Sequence, residues 1–73
     1  MRYFKLLKKD GAQAVEITKD EARETLAGYW KAEYIKEIFE NGEQFRLYTP
    51  YSEVWTMADD GLTPMAGFYG VAG

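Results

Sequence analysis

The side chains that most often carry catalysis are missing from this 73-residue chain, which contains neither histidine nor cysteine. Any reaction would therefore depend on carboxylates, lysines, tyrosines or hydroxyls rather than on imidazole, thiolate or zinc. The carboxylate pair best placed for acid–base or calcium chemistry is Asp59 with Asp60, directly before Gly61. A calcium loop needs further oxygen ligands and a distal glutamate, which residues 62–64 do not supply. We interpret Asp-Asp-Gly as a turn, and predict no catalytic residue, no metal ligand and no cofactor.

Three further carboxylates recur at a helical spacing. Glu33, Glu37 and Glu40 are four and three residues apart, so a helix would place them on one face. This pattern fits the solvated face of a helix, and it also fits an acidic strip offered to a basic partner.

Aromatic residues are the other feature with a functional interpretation. They make up 16% of the chain, and six of them are tyrosines. Tryptophan and tyrosine are frequent at binding hot spots, although the rings of Trp30 and Trp55 also suit the core of a small domain. Because so many rings exceed what one small core can cover, we expect an exposed aromatic patch with an acidic rim. The residues predicted to contact a partner are Tyr29, Trp30, Glu33, Glu37, Glu40, Tyr51 and Trp55.

Charge is distributed unevenly along the chain. Residues 1–31 contain seven Lys or Arg and five Asp or Glu, whereas residues 32–73 contain two and seven. An acidic C-terminal half argues against binding to a phosphate backbone. The basic N-terminal segment includes Tyr3 and Phe4, but it lacks the glycine–aromatic signature of an RNA-recognition strand. We therefore expect no direct nucleic-acid binding.

The clearest element that could position these residues spans residues 30–42. Its end, Asn41-Gly42, tolerates positive φ and suits a helix C-cap. The same dipeptide is a hairpin signal, so a hairpin pairing residues 34–40 with 43–49 is the alternative. We favour the helix because the apolar residues follow its period rather than alternating. These residues are Trp30, Tyr34, Ile35, Ile38 and Phe39.

The remaining segments predict strands and one more helix. Residues 2–9 and 14–17 read as a hairpin joined by a turn at Asp10-Gly11. Thr18 and Glu21 form a capping box for a helix that breaks near Gly28, since interior glycine disfavours helix. Two alternating segments then predict strands, with Val54 and Thr56 on one face of the second. These segments are residues 44–49 and 53–57. Phe68–Val71 is predicted as an edge or irregular element because of Pro64 and the nearby glycines.

The predicted fold class is α+β, a single domain over residues 1–73. We expect an N-terminal β-hairpin and two short helical segments packed on an antiparallel sheet of four to five strands. Since cysteine is absent, no apolar run reaches about 18 residues and the N-terminus lacks a signal-peptide pattern, the predicted location is the cytoplasm, without membrane contact.

The leading functional hypothesis is a non-catalytic interaction module that binds another protein, or a second copy of itself, through the aromatic patch and its acidic rim. The alternative is an inhibitor of the phage or mobile-element type, whose acidic face mimics nucleic-acid phosphate and occupies a basic groove. A carboxylate hydrolase using Asp59 and Asp60 is the remaining hypothesis.

Overall fold

Two helices lie on a single sheet in a computed structural model, which describes residues 1–60, 64–65 and 68–71. This arrangement confirms the predicted α+β class and the N-terminal hairpin. In chain order the elements are β1 (Arg2–Leu7), β2 (Val15–Ile17), α1 (Lys19–Ala27), α2 (Ala32–Glu40), β3 (Phe45–Tyr48), β4 (Ser52–Met57), β5 (Pro64–Met65) and β6 (Phe68–Val71).

The sheet has the strand order β2-β1-β4-β3-β6. Its first four strands are antiparallel neighbours, as predicted, and the two-residue β5 pairs with the end of β4. The parallel pairing of β6 with β3 was not predicted. It follows from the topology: β4 already occupies one edge of β3, and a chain that reverses once more after β4 returns in the direction of β3.

Helix α1 begins and ends where the sequence predicted. The Thr18 hydroxyl accepts a hydrogen bond from the Glu21 amide at 3.1 Å, and the Thr18 amide donates to the Glu21 carboxylate at 3.3 Å. The helix ends at Gly28, which confirms the break between the two helices. Ala22 and Leu26 are completely buried, so the face that they share packs on the sheet.

Helix α2 occupies the segment for which the hairpin was the alternative, so the helix prediction is confirmed. Its start differs from the predicted one. Lys31 is the N-cap, with extended backbone at φ −69° and ψ 149°, and Trp30 therefore precedes the helix. The Trp30 amide donates to the Leu26 carbonyl at 2.8 Å, which continues the turn that closes α1. After the helix, Gly42 adopts φ +101°, as a C-cap glycine does.

Strand alternation decides which side chains the helices cover. Val54 and Thr56 share one face, as predicted, and this is the face that the helices cover; Phe45 and Leu47 extend it on β3. Thr56 is fully buried, and this burial is tolerated because its hydroxyl accepts a hydrogen bond from the Phe45 amide at 3.0 Å. The core between sheet and helices consists of Tyr3, Ala22, Leu26, Ile35, Ile38, Phe45, Leu47 and Val54.

Strand ends differ from the predicted ones by one or two residues. β1 stops at Leu7 and β2 starts at Val15. β3 stops at Tyr48 because Thr49 begins a turn, in which its amide donates to the Ser52 carbonyl at 2.8 Å. The Ser52 amide donates to the Thr49 hydroxyl at 2.9 Å. Both side chains are buried, so this turn is tightly held.

Candidate interaction surfaces

The sheet has a second face, opposite the helices, and none of the described helices packs against it. Side chains reach this face from β1 to β4 at every alternate position, and most of them are partly exposed. We call this surface the open face. Its members are Arg2, Phe4, Leu6, Glu16, Arg46, Tyr48, Glu53, Trp55 and Met57.

A pair of rings forms the centre of the open face. Phe4 and Trp55 are directly opposite each other on β1 and β4, and their rings stack with centroids 6.0 Å apart and planes 19° apart. Two arginines lie over the rings. The Arg2 guanidinium carbon is 5.3 Å from the centroid of Phe4, and that of Arg46 is 5.7 Å from the centroid of Trp55. These distances are within the range of cation–π attraction.

Each of these arginines is held by a glutamate on the neighbouring strand. Arg2 donates to both carboxylate oxygens of Glu16, at 2.7 and 3.0 Å, and this contact lowers the pKa of Glu16. Arg46 donates to Glu53 through Nε, at 2.8 Å, and through Nη2. Both arginines of the open face are therefore paired, and Lys8 adds a cation at its edge, with Nζ 5.8 Å from the ring centroid of Tyr48. What the centre of this face offers to a partner is mainly aromatic area.

The structure divides the predicted contact residues among three surfaces. Trp55 lies on the open face, opposite the buried residues of its own strand. Tyr29 and Trp30 lie in the connection between the helices, on the other side of the sheet, together with the glutamates of α2. Tyr51 lies in the turn between β3 and β4. The predicted aromatic patch and its acidic rim are thus not one continuous surface.

Trp30 packs on the backbone of the last strand. A Cβ atom added to Gly70 would lie 2.3 Å from Cζ2 of Trp30, so the ring rests where a side chain would otherwise stand. Its ring also meets Tyr34 edge-on, with centroids 5.0 Å apart. The outer side of Trp30 lines a cleft of about 380 Å³ between α1 and α2. Trp30 therefore joins the helical layer to β6, while Tyr29 beside it is 40% exposed.

The three predicted glutamates of α2 are all exposed. Glu40 approaches Lys36, with Oε1 3.9 Å from Nζ, and both side chains remain mostly in solvent. Such a pair contributes little to stability. Glu33 and Glu37 have no ion pair with any residue in the part of the chain that the structure describes. The three glutamates therefore lie along one exposed face of α2, as their spacing predicted.

Sequence reasoning missed Glu43, which lies at the centre of a polar cluster. Glu43 has φ +59°, unusual for a residue other than glycine, asparagine or aspartate. Its carboxylate accepts a hydrogen bond from the Tyr3 hydroxyl at 2.5 Å and another from Lys19 at 2.8 Å. No local pattern indicates this residue, because its partners are 40 and 24 positions away in the chain.

The cluster around Glu43 suits anchoring better than proton transfer. Burial, and then the bond to Glu43, raises the pKa of Tyr3 well above its ordinary range, so the phenol stays neutral. The hydrogen bond from Lys19, and then that from Tyr3, lowers the pKa of Glu43, so its carboxylate stays charged. Neither group is poised near neutral pH, as general acid–base work requires. Their contacts instead hold the loop before β3 in its left-handed conformation.

The described residues contain no group of three or more Asp or Glu side chains arranged to hold a metal ion. Asp59, from the adjacent aspartates considered above, is exposed and forms an ion pair with the amino group of Met1.

In comparisons with known proteins, no family model, no curated protein and no solved structure matches this chain. Within the described residues, neither helix has the length and apolar character needed to cross a membrane.

Proposed function

We propose that this protein is a non-catalytic interaction module that associates through the open face, in the first instance with the open face of a second copy. The observation that carries this proposal is that both helices pack on one side of the sheet. The stack of Phe4 on Trp55 is left without a covering layer in the described part of the chain. A different protein with a flat apolar face would use the same rings.

The shape of the molecule supports an interface of sufficient area. Its extents are 34 × 30 × 19 Å, so the body is flat and has two broad sides. A side of those dimensions offers on the order of 1,000 Å², and stable interfaces bury about 800 Å² on each partner. Two sheets packed face to face at about 10 Å would interleave their alternate side chains, as in a sandwich.

The charge of the open face also suits a second copy. The chain as a whole has a net charge of −3, which disfavours self-association through its acidic surfaces. On the open face each arginine is matched by a glutamate, namely Arg2 by Glu16 and Arg46 by Glu53. Because the charges of these two pairs cancel, the centres of two such faces can meet without net repulsion, and their rings can form the apolar centre that interfaces require.

Sedimentation velocity over a range of protein concentrations tests this proposal. The wild type should form a dimer, and Trp55→Glu should weaken it by about 30-fold or more, because it removes a central ring and introduces an unpaired carboxylate. Tyr29→Glu is the matched control, since Tyr29 is exposed on the other side of the molecule and should leave the dimer intact.

A wild type that is monomeric at every concentration would contradict self-association. Association of the open face with a different protein would also be contradicted if the proteins that bind the wild type bound Trp55→Glu equally well. A dimer disrupted by Tyr29→Glu and not by Trp55→Glu would place the interface on the helical side.

A second candidate function is mimicry of nucleic-acid phosphate. It is favoured by the exposure of Glu33, Glu37 and Glu40 along α2, with Lys36 as their nearby cation. Mimicry predicts that binding to a basic groove falls steeply with salt and weakens with Glu37→Lys or Glu40→Lys. A complex that is indifferent to salt and to both substitutions would rule this function out.

A further inference from the structure

The outer edge of β2 has no neighbouring strand. β2 is the first strand in the sheet order, and β1 is its one partner among the strands that the structure describes. Residues 13–16 are all exposed, and the side chain of Val15 is 56% exposed. The backbone groups along this edge are therefore accessible to another chain.

The hydrogen bonds of β1 indicate which backbone groups of β2 point outward. The Lys8 amide donates to the Tyr51 carbonyl at 2.8 Å, and these two residues continue the register in which β1 pairs with β4. In an antiparallel pair, every second residue of a strand bonds to a given neighbour. The even-numbered residues of β1 therefore direct their amides and carbonyls to β4, and the odd-numbered residues direct theirs to β2.

The same alternation continues into β2. Val15 and Ile17 pair with odd-numbered residues of β1, so their amides and carbonyls bond to β1. The amides and carbonyls of Ala14 and Glu16 then point away from the sheet. A row of donors and acceptors at every second residue is what a further strand requires as its partner.

This edge carries little that would repel a second copy of itself. Residues 11–17 contain no lysine, arginine or proline, the residues with which natural edge strands avoid pairing. Their single charge is that of Glu16, and Arg2 donates to both of its carboxylate oxygens. Two such edges can therefore approach each other although the whole chain has a net charge of −3.

Charge and hydrogen bonding select one register for two antiparallel copies of β2. A twofold axis at Val15 places Glu16 opposite Ala14 of the second copy, so that the outward-pointing groups of both strands meet. An axis at Glu16 would place two like charges directly opposite each other, which is destabilising. An axis at Ala14 would leave Ile17 opposite Gly11, without an apolar neighbour. The axis at Val15 is therefore the favoured one.

Pairing in this register also covers apolar surface. Leu7, Val15 and Ile17 line a groove of about 300 Å³ between the N-terminal hairpin and α1. The two copies of Val15 would form a non-hydrogen-bonded pair, the type in which opposite side chains are closest. Each valine would then be covered by the other on a side that is now in solvent.

We propose that β2 pairs edge to edge with β2 of a second copy, antiparallel and with the twofold axis at Val15, so that one sheet continues through both molecules. This contact is separate from that of the open face and does not depend on it, since it places two open faces side by side rather than against each other. The paired segment, residues 13–17, is only about 16 Å long. The contact is therefore smaller than a standard interface, and the association is transient.

Disulfide cross-linking of single-cysteine variants tests the proposal, because the chain has no cysteine of its own. Val15→Cys would bring two thiols together at a pair whose Cα atoms are about 4.5 Å apart, within the range of a disulfide. Ala14→Cys is the matched control, since this residue is also exposed. Its two copies would be diagonal neighbours about 7–8 Å apart, too far for a disulfide.

Both variants are made in the Trp55→Glu background, which disrupts the open face, so that the result reports on the edge alone. Under mild oxidation over a range of protein concentrations, Val15→Cys should form the cross-linked dimer about tenfold or more faster than Ala14→Cys.

Ala14→Pro tests the contribution of the backbone. Proline removes the amide hydrogen of residue 14, which points outward, and leaves the pairing of β2 with β1 in place. Added to Val15→Cys, it should slow cross-linking about fivefold or more. Circular dichroism of each variant confirms that the fold is intact.

Four outcomes would overturn the proposal. The first is that Val15→Cys cross-links no faster than Ala14→Cys, and the second is that Ala14→Pro leaves the rate unchanged. The third is cross-linking that occurs without Trp55→Glu and is lost with it, which would make the contact a consequence of open-face association. The fourth is that, in a cell lysate, Val15→Cys cross-links to another protein and not to a second copy, which would assign the edge to a foreign strand.

Discussion

Both faces of the sheet carry aromatic rings, but the surroundings of these rings differ. On the covered face, Tyr3 and Phe45 are buried beneath the helices, with ring centroids 6.3 Å apart. On the open face, Phe4 and Trp55 stack at 6.0 Å and are covered by guanidinium groups instead of a second layer. The comparison indicates that aromatic content alone does not separate core from contact surface, and that what covers a ring decides its role.

The largest difference between the faces should appear when a ring is removed. Phe45→Ala should cost about 3–5 kcal/mol of unfolding free energy, because it leaves a cavity in the core. Phe4→Ala should cost roughly 1–2 kcal/mol, since its ring is already partly in solvent. Urea unfolding followed by circular dichroism measures both free energies. Equal losses would mean that the ring of Phe4 is shielded from water as completely as that of Phe45.

The covered face also depends on contact between Trp30 and the last strand. Gly70→Ala would place a methyl group 2.3 Å from the indole, so we expect it to cost about 1–3 kcal/mol. Trp30→Leu combined with Gly70→Ala should recover part of that loss, because the smaller side chain makes room for the methyl group. Additive effects in this double-mutant cycle would indicate that the two residues do not touch.

A carboxylate on each side allows the faces to be compared by pH. The pKa of Glu43 is lowered by Lys19 and Tyr3, and that of Glu16 by Arg2. A depressed pKa gives stability that is present above the ordinary value and is lost as pH falls through the folded value. Glu43→Gln should therefore cost about 1 kcal/mol at pH 7, and this difference from the wild type should shrink as the pH falls through the lowered pKa of Glu43.

Glu16→Gln is the comparison for that measurement. Its carboxylate is 46% exposed, so solvent screens the contact with Arg2 and the change in acid sensitivity should be smaller than for Glu43→Gln. Urea midpoints at several pH values between 3 and 8 provide the test. A larger change in acid sensitivity in Glu16→Gln than in Glu43→Gln would contradict this expectation, because it would mean that the exposed pair contributes more to stability than the sheltered one.

The smallest effects distinguish the two arginines of the open face. Glu53 is 15% exposed, so Arg46→Ala leaves a partly buried carboxylate without its partner and should cost roughly 1 kcal/mol. Arg2→Ala should cost less than Arg46→Ala, because both members of its pair are well exposed and solvent screens their contact. Thermal unfolding at low and high salt would show whether the Arg46 effect resists screening, as a sheltered pair should.

Local signals were enough to predict both helices and most of the strands. The capping box at Thr18 and the apolar period of α2 act over a few residues and were read correctly. Trp30 was wrongly placed inside the helix because its spacing of four from Tyr34 also fits a helix, whereas Lys31 is the N-cap and the helix begins at Ala32. The pairing of β6 could not be read, since it depends on which edge of the sheet the other strands leave free.

The faces of β4 illustrate why the candidate surfaces were harder to predict. Alternation correctly separates Val54 and Thr56 from Trp55 and Met57, but it does not reveal which set the helices cover. Hydrophobicity favours burial of the tryptophan, yet the buried set includes Ser52 and Thr56. These hydroxyls are accommodated because each has a hydrogen-bond partner nearby, Thr49 for one and Phe45 for the other. Such partners are known only once the strands are paired.

The two tryptophans lie on opposite sides of the sheet, so the fluorescence of each one reports on a different side of the molecule. In Trp30→Phe, the remaining emission comes from Trp55 and should respond when something covers the open face. In Trp55→Phe, it comes from Trp30 and should respond when β6 leaves the helical layer. Quenching by acrylamide in these two variants could therefore follow association and edge-strand detachment as independent events, without any added dye.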